Sequence, residues 1–247
     1  MAIADVWMVD PADVHESVLL SRYAALLPPD ESAQLDRYRL AKLRHQYLVA
    51  RVLVRTVLSA RLGVSPADLA LRASSSGRPE LASGKDRLDF NLSHTDGLIV
   101  LAVTDGARIG VDVERYDRTV GTLALARRFF APAEHAAIVA ADEHRRRELF
   151  LAYWTLKEAY LKARGGGIAD GLGSIAFTID DTTIRVLTAP DDGASWRFVS
   201  WEPTPSHRAA VAVQTRDELE LRVRRTVPLV REEPVTCRPI AASPPGH

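Results

Sequence analysis

The chain carries a single cysteine, Cys237, near its end. That rules out an intrachain disulfide and any zinc centre built from clustered cysteines. No apolar run approaches the roughly 20 residues a membrane-spanning helix needs, so no membrane partner is expected. The first residues, MAIADVWMVD, contain acids and no basic segment, so no secretory signal is expected and a cytoplasmic location is the default. Basic and acidic side chains number 32 each, giving a formal net charge of zero. A general nucleic-acid binder is therefore not expected, although a local basic patch is still allowed. With 47% apolar and 26% charged residues the composition is that of an ordinary globular protein. Its 247 residues allow one large domain or two smaller ones.

What the sequence does contain is two long helix-permissive stretches, each followed by strand-like runs. From Ala133 to Arg164 no Gly or Pro intervenes, and Gly165-Gly166-Gly167 then stops the pattern. Within it, YWTLKEAYLK at Tyr153–Lys162 is apolar on most sides, with Trp154 beside a polar strip. At about 100° per residue, Thr155, Glu158 and Lys162 fall on one strip of that helix. Such a strip is either an ordinary i,i+4 ion pair or the polar wall of an active site.

The earlier stretch opens at Pro28-Pro29-Asp30 and reaches Leu62 before Gly63. Read as one helix, it aligns Arg37, Arg44, Arg51 and Arg55 within about 40° of arc. That stripe is a solvated face, or it holds a phosphate or an acidic partner.

Ser74-Ser75-Ser76-Gly77-Arg78-Pro79 is a loop of small residues ending in a guanidinium, a form that suits a phosphate. Leu88–Ser93 alternates as a strand and His94 follows it. Leu98–Thr104 and Ala107–Glu114, joined at Asp105-Gly106, read as a hairpin. Its second arm, Gly110-Val111-Asp112-Val113-Glu114, puts Asp112 and Glu114 on one face about 7 Å apart. Two such carboxylates are either solvated or bridged by a hard divalent cation. The glycine suits a close approach by a ligand or another backbone. Ile175–Ile179, Thr183–Leu187, Trp196–Trp201, Arg208–Gln214 and Glu218–Val227 read as further strands. The proline-containing tail from Pro228 is expected to be partly disordered.

The order predicts an α+β protein of two similar halves related by a pseudo-twofold axis, each a long helix packed on an antiparallel sheet. Residues 1–109 form the first half, 110–227 the second and 228–247 the tail. A cofactor cleft lies between the halves.

Taken together, GVDVE at 110–114 and WTLKEAYLK at 154–162 resemble the 4′-phosphopantetheinyl transferases, in particular the monomeric surfactin-synthetase-activating type. Gly77-Arg78-Pro79 and Asn91-Leu92-Ser93-His94 match two further motifs of that family in the same order. The resemblance implies a monomeric enzyme moving phosphopantetheine from coenzyme A to a serine of an apo acyl- or peptidyl-carrier protein. It implies magnesium dependence, with manganese as an alternative, release of adenosine 3′,5′-bisphosphate, and a place in secondary-metabolite biosynthesis. It assigns metal binding to Asp112, Glu114 and Glu158, and catalytic roles to Glu158, Lys162, Asp112 and His94. Coenzyme contacts fall to Ser76, Gly77, Arg78, Pro79, Asn91, Ser93, His94, Asp112, Lys157, Glu158 and Lys162. The chain departs from the family at Glu31 and Gln34, where basic residues are usual, leaving Arg37, Arg44 or Arg51 to hold the 3′-phosphate. Two other readings stand beside this one: a non-catalytic coenzyme- or carrier-binding protein, and a magnesium-dependent phosphohydrolase.

Overall fold

Prolines at helix heads and alternating β-branched residues sort the chain into helices and strands, with the helices grouped ahead of strands twice. The computed structural model describes residues 1–74, 77–83, 88–117, 121–166, 171–191 and 195–244. Strand β1 (Ala2–Val9) precedes helices α1 (Ser17–Ala24), α2 (Pro29–Arg37) and α3 (Ala41–Leu62). Short strands β2 (Leu71–Ala73) and β3 (Pro79–Leu81) lead to β4 (Asp89–Thr95), β5 (Leu98–Thr104) and β6 (Ile109–Arg115). Helices α4 (Thr122–Phe129), α5 (Pro132–Ala140) and α6 (Glu143–Ala163) come next. Strands β7 (Ala176–Asp180), β8 (Thr183–Thr188), β9 (Trp196–Thr204) and β10 (His207–Gln214) follow. The chain closes with β11 (Leu219–Val227), β12 (Arg231–Val235) and β13 (Pro239–Ala242). Pro29 and Pro132 sit in first helical turns, where a missing N–H leaves no bond unmade.

The strands form a five-stranded sheet, β12-β11-β1-β5-β4, a six-stranded sheet, β6-β10-β9-β13-β8-β7, and the small β2-β3 pair. Pairing is antiparallel except between β1 and β11 and between β8 and β13. This is the expected α+β arrangement, with an added feature. Helix α3 packs on one face of the first sheet, where Val9, Ile99, Leu101 and Val103 meet Val52, Leu53 and Leu58. Helix α6 packs on one face of the second, where Phe198, Ala210 and Ala212 meet Leu156 and Tyr160. A third core, including Val6, Val100, Val111, Trp201 and Val211, joins the two inner sheet faces. The layers thus run helix, sheet, sheet, helix, which explains why β5 is buried at every residue.

Five expectations change. The stretch from Asp30 to Leu62 is two helices, with Tyr38 and Leu40 in extended conformation between them. Glu31 bonds Arg55, 24 residues away, a span that one continuous helix would stretch to about 36 Å. The fold back puts Arg37 on a different helix from Arg44, Arg51 and Arg55. The stretch from Ala133 to Arg164 also breaks, because Asp142 caps α6 by accepting from Arg145 N at 2.9 Å.

Strands β5 and β6 are not a hairpin, since they belong to different sheets. Instead Asp105-Gly106 carries the chain across, and the hairpin is β4–β5 with Gly97 at φ 80°. Residues Leu219–Val227, read as part of the second half, lie beside β1 in the first sheet. The tail is strand rather than irregular in its described part: β12 pairs with β11, and β13 wedges between β8 and β9. Local composition does not report an open sheet edge elsewhere in the chain, which is what orders such a segment.

Candidate active site

Strands β4 and β6 meet at the touching edges of the two sheets without backbone pairing. Side chains do the pairing instead. Along β4, Asp89, Asn91 and Ser93 point to one side by the period of two. Asp89 Oδ2 accepts from Ile109 N at 2.9 Å, Asn91 Oδ1 from Val111 N at 2.9 Å, and Ser93 Oγ from Val113 N at 3.4 Å. The carbonyls on that edge of β6 are met by cations, Ile109 O by Arg78 at 3.2 Å and Val111 O by Lys162 at 3.2 Å. Unpaired backbone groups buried at such a seam would each cost free energy, so the ladder is what lets the halves join here.

At the end of the ladder sits a compact polar cluster. Lys162 Nζ donates to Asp112 Oδ1 at 2.7 Å and to Ser93 Oγ at 3.0 Å, and Ser93 Oγ donates to Asp112 Oδ1 at 3.0 Å. Asp112 Oδ2 is buried and has no hydrogen-bond partner among the described residues. Lys162 keeps 26% of its side chain exposed, so the cluster lies close to the surface. Glu158, one turn earlier on α6, is buried, and Glu114 is half-buried at the end of β6. Among the described residues no three of His, Cys, Asp and Glu are grouped closely enough to form a metal cage.

Gly110 explains how α6 comes so near. A Cβ there would stand 2.0 Å from Ala159 O and 2.5 Å from Ala163 N, so the backbone approached is that of α6 itself. Gly110→Ala must push α6 off β6, and a loss of stability of about 3 kcal/mol or more is expected, the upper end for overpacking. Denaturant unfolding checks this, with the midpoint falling at an unchanged slope.

The other expected site residues fall elsewhere. Lys157 is a correction: its ammonium is 0% exposed and faces the second core, with Glu134 at 2.8 Å and Leu172 O at 2.9 Å. Five residues separate it from Lys162, a turn of about 140° around the helix, so the two lysines face different sides. Thr155 donates back to Leu151 O at 2.8 Å and so contributes no polar wall. Trp154 packs on Phe150 with ring centroids 5.7 Å apart.

The Arg78 guanidinium donates to protein groups, including Lys162 O at 2.6 Å and Asp89 at 2.8 Å. Asn91 is buried within the ladder. Gly77 turns the β2–β3 hairpin at φ 81° and Pro79 begins β3, while Ser76 lies outside the described residues. Arg51 is held with Arg55 against the buried carboxylate of Glu31. Those two guanidiniums keep Glu31 below the usual carboxylate range against the effect of burial. Arg37 and Arg44 stay at the surface, bonded to Gln34 and Asp36. Sequence reasoning missed Asp89, whose signal was its alternation with Asn91 and Ser93.

His94 ends β4 next to the cluster. Its side chain is exposed, yet its surroundings remove enough water to lower its pKa, with the Lys162 charge adding to the effect. The imidazole is therefore neutral near pH 7 and ready to accept a proton from, or share one with, an incoming anion.

The cluster therefore offers one ammonium, a carboxylate with an open buried oxygen, a hydroxyl and a neutral imidazole. This is a set suited to a phosphate ester accompanied by a hard cation. Comparison with known proteins points the same way. The sequence model of the 4′-phosphopantetheinyl transferase superfamily matches residues 108–213. The model described as 4′-phosphopantetheinyl transferase, N-terminal, matches residues 15–105. The 4′-phosphopantetheinyl transferase HetI of Nostoc sp. is 35% identical over 211 residues, covering 84% of this chain and 86% of its own. A phosphopantetheinyl transferase of Thraustochytrium sp. is 35% identical over 192 residues, 72% of this chain and 66% of its own. The 4′-phosphopantetheinyl transferase Sfp of Bacillus subtilis is 25% identical over 217 residues, 88% of this chain and 94% of its own.

Proposed function

The chain belongs to the 4′-phosphopantetheinyl transferase superfamily and is an enzyme of that type, and from this premise we propose that it transfers phosphopantetheine from coenzyme A to a serine of an apo acyl- or peptidyl-carrier protein. The observation that carries the reading is the Ser93–Asp112–Lys162 cluster, with its buried Asp112 oxygen unpartnered among the described residues, at the junction of the two halves. The carrier serine oxygen attacks the phosphorus bearing the pantetheine arm. The bond from that phosphorus to the bridging oxygen breaks, and adenosine 3′,5′-bisphosphate leaves with the electron pair. Lys162 stands where negative charge grows on the departing phosphate and stabilises it. Ser93 and His94 contact the coenzyme's phosphates. Glu158 takes the serine proton, directly or through a water.

Magnesium, or manganese in its place, fits the donor set, because it takes one or two carboxylates and completes its shell with water and phosphate oxygens. Asp112 Oδ2 would hold it, with either Glu114 or Glu158 as a second carboxylate, and bound there it would supply charge neutralisation to the pyrophosphate. We further propose a cytoplasmic monomer acting in secondary-metabolite biosynthesis. Arg37 and Arg44 are the surface cations left to meet the 3′-phosphate. Incubation with magnesium, coenzyme A and a panel of apo carriers tests the assignment, with a mass gain of one phosphopantetheine on the carrier as the expected result. No gain on any carrier would contradict it.

The protonation of His94 gives a prediction of definite sign. Folding lowers its pKa from 6.5. Below about 6.5 the unfolded chain takes up a proton that the folded chain resists, so this group costs stability as pH falls and contributes nothing above that range. A phosphate at the ring reverses the preference, so coenzyme A binding should draw a proton onto His94 at pH 6–7. Its affinity should then rise on acidification by up to tenfold per pH unit, the limit for one linked proton. Because the coenzyme's own phosphate titrates nearby, the measurement is the difference between wild type and His94→Gln, by calorimetry in buffers of different ionisation enthalpy. Equal proton uptake in both proteins would place the ring away from the phosphates.

A further inference from the structure

The position of Lys162 depends on a contact from the other half of the molecule. Helix α6 ends at Ala163, and the carbonyls of its last turn find partners beyond the helix, Gly165 N already donating to Lys162 O at 3.1 Å. Lys162 O also accepts from Arg78 Nη1 at 2.6 Å, across 84 residues of sequence. The other arm of the same guanidinium donates to Asp89 Oδ1 at 2.8 Å, to Phe90 O and to Ile109 O at 3.2 Å. One planar cation therefore touches the end of α6, the start of β4 and the start of β6 together. Those are the three elements that supply Lys162, Ser93 and Asp112. The side chain is 11% exposed, its Nε is buried with no hydrogen-bond partner among the described residues, and Asp89 also bonds it while holding Ile109 N.

We propose that Arg78 is a positioning residue. It caps the C-terminus of α6 from the first half and sets the Lys162 ammonium against Ser93 and Asp112, rather than contacting the coenzyme's phosphates. The geometry calls for arginine. A lysine has a single compact donor group and cannot span acceptors on three elements, and a glutamine carries no charge to complement the negative end of the helix. Asp89 belongs to the same device, since it orients the fork. Below the clasp, the Asp89–Asn91–Ser93 ladder keeps β4 in register with β6. A shift at Arg78 is thereby passed to the Ser93 hydroxyl as well as to Lys162. Because contacts made at a developing charge must be held closely to be worth their full value, loosening this clasp is felt in the transition state more than in binding.

This proposal rests on the transferase reading, and its test separates the two. Arg78→Gln, Arg78→Lys and Asp89→Asn are compared with wild type by steady-state kinetics on a carrier. The ¹⁵N resonance of the Lys162 ammonium is followed in the coenzyme-free protein. The expected result for Arg78→Gln is a kcat lowered at least tenfold with KM for coenzyme A within twofold, and a displaced or broadened Lys162 resonance. Arg78→Lys should recover part of the rate and part of the shift, and Asp89→Asn should fall between wild type and Arg78→Gln. A tenfold rise in KM for coenzyme A with kcat and the Lys162 resonance unchanged would overturn the proposal and return Arg78 to the phosphates. If wild-type protein modifies no carrier, the transferase reading fails. The Lys162 resonance in the three variants still decides whether the clasp positions that ammonium. Should Arg78→Gln not fold, Asp89→Asn carries the same comparison, and an unmoved Lys162 resonance in it counts against the proposal.

Discussion

Lys157→Met should destabilise the protein by about 3–5 kcal/mol, the range for removing one partner of a buried ion pair. The ammonium is wholly enclosed, and besides Glu134 it donates to the carbonyls of Leu172 and Ile175. Burial pulls its pKa down while the Glu134 charge opposes the fall. Glu134 is equally enclosed, and it also accepts from Ala131 N at 2.9 Å and Phe177 N at 2.9 Å. One carboxylate thus ties the head of α5 and the start of β7 to the middle of α6. With the lysine gone, a buried carboxylate keeps two amide donors and loses its counter-charge. Glu134→Gln is the milder variant, because the amide oxygen can keep one of those N–H groups. The double change to Met and Gln should cost less than the sum of the two single changes, since each single variant leaves the other partner unmatched. Denaturant midpoints on the three variants check this. A loss below about 1 kcal/mol in Lys157→Met, the scale of an exposed pair, would mean that the pair is not buried in solution.

Lys162→Met and Asp112→Asn should each lower kcat by about 10²-fold or more while leaving the fold intact, because the charges they remove act on charge that develops in the transition state. Lys162 lies close to the surface with its ammonium on Asp112 and Ser93. Methionine preserves most of the stem and none of the charge. Asparagine in place of Asp112 keeps the shape and loses the buried anionic oxygen that has no hydrogen-bond partner among the described residues. In the ligand-free protein these two groups neutralise each other, so the double variant should be no more destabilised than either single one. Its loss of rate should also be less than additive, as parts of one assembly fail together. Melting curves separate this from a structural role. If Lys162 and Asp112 form only a structural pair, the melting temperature falls and turnover stays near normal.

The site was legible in the sequence where its chemistry is carried by short-range periodicity. Gly110, Asp112 and Glu114 lie on one strand face, and Glu158 and Lys162 lie on one helix strip. Both patterns follow from backbone geometry that holds wherever the element forms. The same geometry would have set Lys157 apart from Lys162 had the 140° between them been used. Other features were not legible because the groups that satisfy them are distant in sequence. Arg78 reads as a loop cation until the carbonyl of Lys162 appears beside it, 84 residues on. Arg51 reads as part of a surface stripe until the break at Tyr38 brings Glu31 back to it. Asp105-Gly106 carries a hairpin signature, yet β6 meets β4 through the side chains of Asp89, Asn91 and Ser93 and joins the other sheet. The tail strands β12 and β13 are ordered by sheet edges contributed by β11, β8 and β9, and local composition contains no trace of those edges.

The most direct test of the account is a product balance. The protein is incubated with magnesium and coenzyme A in three arms: with an apo carrier, with the same carrier whose acceptor serine is replaced by alanine, and with no carrier. Released adenosine 3′,5′-bisphosphate is quantified alongside the modified carrier. The account predicts one nucleotide released per carrier serine modified in the first arm and none in the other two. Equal release in all three arms would identify a phosphohydrolase, and binding of coenzyme A without release in any arm would identify a binding protein; either result would contradict the transferase assignment.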